Sequence, residues 1–317
     1  MDATGFDVLT MGRVGVDLYP LEPGSSLEEV DRFARFLGGS ATNVAVAAAR
    51  HDRSSAVITR TGDDPFGRFI HASLRALGVD DRYVATVPNR ATPVAFCEIH
   101  PPDDFPLYFY GRAEAPDLEI STDSLDLEAI AAASIFWITV TGLSAEPSRT
   151  AHLAALQQRG RTRATVLDLD YRPAVWPSRQ TAQDAVADVL PLVTVAIGNR
   201  DECETAVGTR DPARAAAALL DAGVEIAVVK LGPEGVVATT AEETVTVAGH
   251  PVSVVNGLGA GDGFGGALCH GLLAGWSLDQ TIRFANAAGA IVASRLECSS
   301  AMPTTDEVMS LLDGTAS

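Results

Sequence analysis

The chain nearly lacks lysine: arginine supplies 22 of its 23 basic residues, and Lys230 is the only lysine. Positive charge is scarce as well, since 41 acidic residues leave a formal net charge of −18. That deficit argues against a general binder of nucleic acid or of anionic membranes, because phosphate backbones reward clustered positive charge. Long apolar runs are missing. None reaches the roughly 18–20 residues of a membrane span, and the N-terminus shows no basic-then-apolar signal. Cysteine is sparse too. Cys97, Cys203, Cys269 and Cys298 have no close spacing, so neither a zinc knuckle nor a disulfide scaffold is expected and a reducing cytoplasm is the default.

What remains is the composition of a soluble globular protein. Hydrophobic residues make up 47% of the 317 positions and charged residues 20%, too apolar for a disordered chain. Short apolar runs alternate with amphipathic stretches of helical length, the pattern of β-α units around a mostly parallel sheet. The expected strands are 6–11, 56–59, 135–140, 164–169, 193–197 and 225–231. The expected helices include 43–50, 66–77, 147–159, 182–190 and 212–222. Two stretches break the rhythm. Residues 92–100 alternate like a half-buried strand, and 106–110 follow a Pro-Pro-Asp-Asp turn. With 14–18 they are expected to form a small sheet that covers a site or meets a partner. Neither linker nor repeat divides the chain, so residues 1–317 read as one domain with that sheet added.

The segment Asn256-Gly-Leu-Gly-Ala-Gly-Asp-Gly-Phe-Gly-Gly-Ala267 carries the strongest chemical signal. Small residues before a helix let backbone N–H groups approach an anion, and the helix N-terminus adds positive potential. A carboxylate in that turn would repel a phosphate it merely bound. Asp262 makes sense as a base that takes a hydroxyl proton while the glycine nest holds a transferring phosphoryl group, or else as a simple helix cap. Gly261-x-Gly263-x-x-Gly266 also satisfies the dinucleotide fingerprint, but it lies late in the chain and follows no convincing first strand. No Gly-x-x-x-x-Gly-Lys-[Ser/Thr] loop exists.

Near the start, Gly38-Gly39-Ser40-Ala41-Thr42-Asn43 leads into an Ala-rich helix. Its glycines give backbone access, and Asn43 is either a hydroxyl ligand or a cap. Asp17, after the first strand, is a turn residue or a second hydroxyl acceptor. Lys230, at the end of a strand, is either a survivor of compositional bias or a selected ammonium.

Gly38 to Asn43 near the start and Gly259-Ala260-Gly261-Asp262 near the end resemble the two signatures of the ribokinase/PfkB sugar-kinase family. Asn199-Arg-Asp-Glu202 is similar to its Asn-x-x-Glu element. Lys230-Leu-Gly-Pro-Glu-Gly235 resembles its nucleotide-side turn, and Asn286 falls where the family approaches the adenine. The resemblance spans nearly the whole chain. Segments 11–20, 59–67, 101–106, 115–118 and 168–173 are similar to a branch of the family that acts on a sugar acid. This chain departs from the pattern at Gly111, where arginine is expected and Arg112 follows one place later, and at Gly263, which replaces alanine.

The resemblance implies a three-layer α/β/α ribokinase-like sandwich with a small β lid drawn from about 13–37 and 91–112. It implies ATP-dependent phosphorylation of the terminal (6-) hydroxyl of a sugar acid. Asp262 would act as base and Gly259, Ala260 and Gly261 as the anion nest. The sugar would meet Asp17, Gly38, Gly39, Asn43, Tyr110, Arg112 and Arg172, with Arg112, Arg172 or Arg60 pairing its carboxylate. ATP would meet Asn199, Glu202, Lys230, Gly232, Gly235 and Asn286. Mg2+ would be held by phosphates and water, with Glu202 acting indirectly. Dimer contact would run through the lid. The rival readings are a 2-keto-3-deoxygluconate kinase or fructokinase of the same family, and a non-catalytic nucleotide or sugar sensor.

Overall fold

Alternation along the central strands decides which side chains face which helical layer. The computed structural model describes residues 5–314. In chain order the first strands are β1 (Val8–Met11), β2 (Gly15–Pro20), β3 (Phe33–Gly38), β4 (Ser55–Gly62), β5 (Val79–Asp80), β6 (Val84–Val87), β7 (Val94–Cys97) and β8 (Leu107–Tyr110). They are followed by β9 (Ile135–Thr139), β10 (Thr165–Asp168), β11 (Val195–Asn199), β12 (Ile226–Lys230), β13 (Val236–Thr239) and β14 (Thr244–Val247). The helices are α1 (Ser40–Arg50), α2 (Pro65–Ala76), α3 (Leu127–Ala132), α4 (Ser148–Arg159), α5 (Arg179–Val189), α6 (Arg200–Val207), α7 (Pro212–Asp221), α8 (Ala260–Leu273), α9 (Leu278–Ala293) and α10 (Thr305–Leu312).

The large sheet has the order β14-β13-β12-β11-β10-β9-β1-β4-β5, with β6 also paired to β4. From β12 to β5 every pairing is parallel, and β13 and β14 add an antiparallel edge. Leu9, Phe136, Ile138, Leu167, Ala196 and Val229 point to one face, into a core shared with α3 to α7. Val8, Ile135, Trp137, Val166, Ile197 and Val228 point to the other, against α1, α8, α9 and α10. Three layers result. Both faces are covered, which is why the strands read as near-continuous apolar runs.

The small sheet has the order β3-β2-β7-β8, with β3 and β8 as its edge strands. Three of its strands, β2, β7 and β8, fall where the alternating segments were expected, although β7 is only four residues long (Val94–Cys97), while β3 (Phe33–Gly38) was not among those segments. The large sheet is mostly parallel, as the pattern implies, but β13 and β14 were not foreseen; these four-residue strands lie beyond the last β-α unit. Because β1, β9, β10, β11 and β12 run parallel, their carboxyl ends lie along one edge, where open α/β sheets bind ligands.

Candidate active site

Arg13, Thr141, Asp168, Asp170, Asn199 and Lys230 sit at or just past those carboxyl ends. Facing them is the start of α8, whose N-cap Gly259 adopts φ 81°, a left-handed conformation that only glycine takes without strain. Asp262 lies in the first turn of α8, three residues after the N-cap position, which Gly259 occupies. Its Oδ1 instead accepts from Ser40 Oγ at 2.8 Å and its Oδ2 from Asn43 Nδ2 at 2.8 Å. Ser40 and Asn43 are three residues apart on α1, hence on one face of that helix. Burial raises the Asp262 pKa, opposed by the Asn43 and Ser40 bonds, and Asp170 adds repulsion. The cap position belongs to Gly259, and Asp262 is instead a carboxylate held from α1.

The sequence offered Asn43 as a hydroxyl ligand or a cap, and its amide donates to the Asp262 carboxylate. An amide NH2 facing a carboxylate fixes the flip, so Oδ1 points the other way. There it lies 2.5 Å from Ser299 Oγ. Asn43 is also inside α1 rather than at its start, because the helix begins at Ser40 and Gly39 caps it. A Cβ at Gly39 would stand 2.5 Å from the Arg13 carbonyl oxygen, so this turn packs directly on the end of the first strand.

Asp17 lies on β2 with its carboxyl against Gly38, where a Cβ would collide with both carboxylate oxygens. Tyr19 donates its hydroxyl to Asp17 Oδ2 at 3.0 Å. Burial pushes the Asp17 pKa up to about 6, against the opposing pull of the Tyr19 bond and of Arg13. Asp17, Gly39, Arg13, Phe109 and Arg112 line a narrow pocket of about 30 Å³. Phe109 and Arg112 also line a wider cavity of about 750 Å³, formed by residues 107–114 with Ala174 and Val175. Asp262 lines neither of these two pockets.

The arginines divide into separate classes. Arg112 is 8% exposed and both its Nη atoms donate to Asp117, a buried carboxylate that also accepts from the Val14 amide. Burial pushes the Arg112 pKa down to about 9. Arg112 is thus already paired within the protein. Arg172 donates only Nε to Asp170, at 2.8 Å, and its side chain is 40% exposed. Arg60 lies in β4 and is partly buried. Tyr110 is 60% exposed on the β8 edge of the small sheet, its ring against Phe96.

On the other side of the cleft, Lys230 ends β12. A Cβ at Gly261 would stand 3.1 Å from its ammonium nitrogen. Burial works against the charge, but Asp168, Glu202, Asp262 and Asp170 outweigh it and hold the pKa above the ordinary lysine value. Asn199 and Glu202 form a reciprocal capping box on α6. Asn199 Oδ1 accepts from the Asp201 and Glu202 amides, and Glu202 Oε2 accepts from the Asn199 amide at 2.7 Å. Gly232 opens a 3-10 turn after β12, and Gly235 closes it beneath the Val247 carbonyl. Asn286 on α9 donates to the Ala248 carbonyl at 2.8 Å, which ties that helix to the segment after β14.

Four residues that organise this site, Arg13, Ser40, Asp168 and Asp170, were not singled out from the sequence. Arg13 donates Nη2 to Asp170 at 2.7 Å and Nε to Thr141 at 3.0 Å, almost fully buried. Asp168 lies near Ser40, and burial raises its pKa despite the nearby Lys230. Asp170, bonded by Arg13 and Arg172, is held below the usual carboxylate range even though burial pushes the other way. The signal was present: Asp168 and Asp170 alternate at a strand's carboxyl end, and Ser40 shares a helical face with Asn43.

No group of three or more His, Cys, Asp and Glu residues converges on a metal position among the described residues. No helix among them is long and apolar enough to cross a membrane.

Residues 6–305 match the pfkB family carbohydrate kinase model. A 5-dehydro-2-deoxygluconokinase of Listeria monocytogenes serotype 4b is 34% identical over 313 residues, covering 97% of this chain and 96% of that protein. One from Shouchella clausii is 32% identical with the same coverage. Among solved structures, a fructokinase of Vibrio cholerae with fructose, ADP and calcium bound superimposes with a TM-score of 0.83 at 25% identity, covering 96% of this chain and 98% of that one. An E. coli protein described as a ribokinase II, in complex with ATP and Mg2+, gives a TM-score of 0.88 at 23% identity, covering 97% and 99%. The chain belongs to the pfkB family of carbohydrate kinases.

Proposed function

We propose that this kinase transfers the γ-phosphoryl group of ATP to the 6-hydroxyl of 5-dehydro-2-deoxy-D-gluconate, a step of myo-inositol degradation in the cytoplasm. One observation carries the chemistry: Asp262 sits in the mouth of the Gly259–Gly261 turn with both carboxyl oxygens fixed from α1. A fixed carboxylate whose pKa is raised by burial is suited to take a hydroxyl proton, and the turn's N–H groups and helix N-terminus stabilise negative charge beside it. Lys230, next to Gly261, adds a compact positive charge on the nucleotide side. Two in-line oxygens then exchange the phosphoryl group while Asp262 holds the proton.

The sugar is recognised by Asp17 and the backbone at Gly38 and Gly39, with Tyr110 and the small sheet closing over it and excluding water. The relatives' names support a sugar acid as substrate, and Arg172 is a cation with its Nη atoms uncommitted to Asp170. The nucleotide lies along Asn199, Lys230, Gly232, Gly235 and Asn286. Mg2+ fits this donor set only as an ion held by phosphates and water: carboxylates do not converge on one point, and Glu202 has Oε2 committed to its capping box. When bound, the ion neutralises phosphate charge. The open β8 edge, with Tyr108 and Tyr110 exposed, supports a homodimer through the small sheet.

ADP release over a panel of sugars and sugar acids tests this reading. Highest catalytic efficiency with 5-dehydro-2-deoxygluconate supports it. Preference for 2-keto-3-deoxygluconate or fructose would reassign the substrate within the family, and no turnover with any sugar would leave a non-catalytic sensor.

A further inference from the structure

Two consecutive residues of the loop before α10, Cys298 and Ser299, reach both carboxylates of the site through one intermediary each. Cys298 Sγ lies 2.8 Å from the Tyr19 hydroxyl, and Tyr19 lies 3.0 Å from Asp17 Oδ2. A carboxylate can only accept, so Tyr19 donates to Asp17 and the thiol donates to Tyr19. Ser299 Oγ lies 2.5 Å from Asn43 Oδ1 and 2.8 Å from the Leu37 carbonyl, and Asn43 donates to Asp262 Oδ2. Tyr19, Cys298, Ser299 and Asn43 are each at most 4% exposed, so these relays are shielded from water. Cys298 also packs on the phosphate-side turn, since a Cβ at Gly259 would stand 3.0 Å from its Sγ.

We propose that the Cys298-Ser299 dipeptide is a clamp that sets the sugar-binding Asp17 and the base Asp262 at fixed positions relative to the Gly259 turn, with Tyr19 and Asn43 as its positioning residues. The inference rests on the kinase reading for the roles of the two carboxylates. The physical need is plain. Asp17 and Asp262 come from the small sheet and from α8 and repel each other, so each requires a donor to hold it in place. Both lines of support start from one dipeptide, so a shift of that loop displaces the sugar and the base together.

The two arms separate in kinetics. Tyr19→Phe removes the donor to Asp17 alone, so sugar affinity by calorimetry should weaken about tenfold while kcat and the KM for ATP stay within about twofold. Ser299→Ala frees Asn43, so kcat should fall about tenfold with sugar affinity within about twofold. Ser299→Thr and Cys298→Ser keep a donor at each position and should recover near-normal values, which a general loss of packing would not permit. The sugar probe is 5-dehydro-2-deoxygluconate. If wild-type enzyme binds it and the Tyr19→Phe and Ser299→Ala variants change the same parameter to the same degree, or change neither, the clamp is wrong. If wild-type enzyme binds no sugar at all, the kinase reading and the clamp fall together.

Discussion

The ammonium of Lys230 lies where a side chain at Gly261 would have to begin, 3.1 Å from that position, so the single lysine of the chain is seated against the turn that carries Asp262. The strand-end lysine and the late glycine turn are about thirty residues apart in sequence and meet across the sheet edge. Replacing Lys230 with Met removes the charge and keeps most of the stem. The KM for ATP should rise by the equivalent of about 1–3 kcal/mol, with a smaller change for the sugar, as steady-state kinetics will show. Lys230→Arg should not restore it, because a planar guanidinium is bulkier than the ammonium that fits beside Gly261. Unchanged kinetics in Lys230→Met would make the lysine a compositional residue only.

Asp262→Asn preserves volume and can keep the Ser40 bond, but it cannot take a proton. Turnover should fall by about 10²–10⁴ with a far smaller change in sugar affinity. Near-normal turnover would remove the base from the mechanism.

Acid should inactivate the enzyme above the ordinary carboxylate range, since burial raises the pKa of both Asp262 and Asp17, the latter to about 6. Sugar affinity should decline as pH falls through about 6. The linkage has the opposite sign for stability. Asp17 has an ordinary value of 3.8 and a folded value near 6, so the folded protein binds more protons in that window and loses stability as pH rises through it. Asp17→Asn should therefore melt a few degrees higher than wild type at about pH 7, with the advantage gone below about pH 4, while losing most sugar affinity. Equal melting temperatures at neutral pH would show that the Asp17 charge carries no cost.

Much of this architecture was legible because it depends on local pattern. The β-α alternation places the parallel strands within a few residues, and the glycine turn falls directly before α8, where the glycine-rich segment placed it. Pairings across the sheet were not legible. Nothing local in Arg112 says that Asp117 will take both its Nη atoms, and nothing in Asn43 says that Ser299, 256 residues away, will orient its amide. Asn199 and Glu202 show the reverse case: the Asn-x-x-Glu spacing is a capping box whatever else it does, and the structure shows that box. The antiparallel strands β13 and β14 were missed because runs of four residues have too little length to separate strand from loop.

The arginines give the sharpest test of substrate class. A sugar acid brings negative charge to a chain of net charge −18, so long-range attraction cannot help and a local donor must hold it. Arg112 is buried and closed on Asp117, so Arg112→Leu should chiefly destabilise the fold, by about 3–5 kcal/mol, by leaving a buried carboxylate without its partner. Arg172 is 40% exposed and bonded to Asp170 through Nε alone, so Arg172→Leu should fold nearly as well as wild type. Asp170 keeps Arg13 at 2.7 Å in that variant. If Arg172 pairs the substrate carboxylate, wild type should prefer 5-dehydro-2-deoxygluconate over fructose by a wide margin, because a neutral sugar leaves that cation unmatched. Arg172→Leu should then narrow the ratio of kcat/KM values by about tenfold or more, through loss of the acid rather than gain of fructose. Chemical denaturation of both variants, beside kcat/KM for both sugars, separates the two roles. A ratio unmoved by Arg172→Leu would remove this arginine from recognition, and a preference of wild type for fructose by about tenfold would replace the sugar acid as substrate.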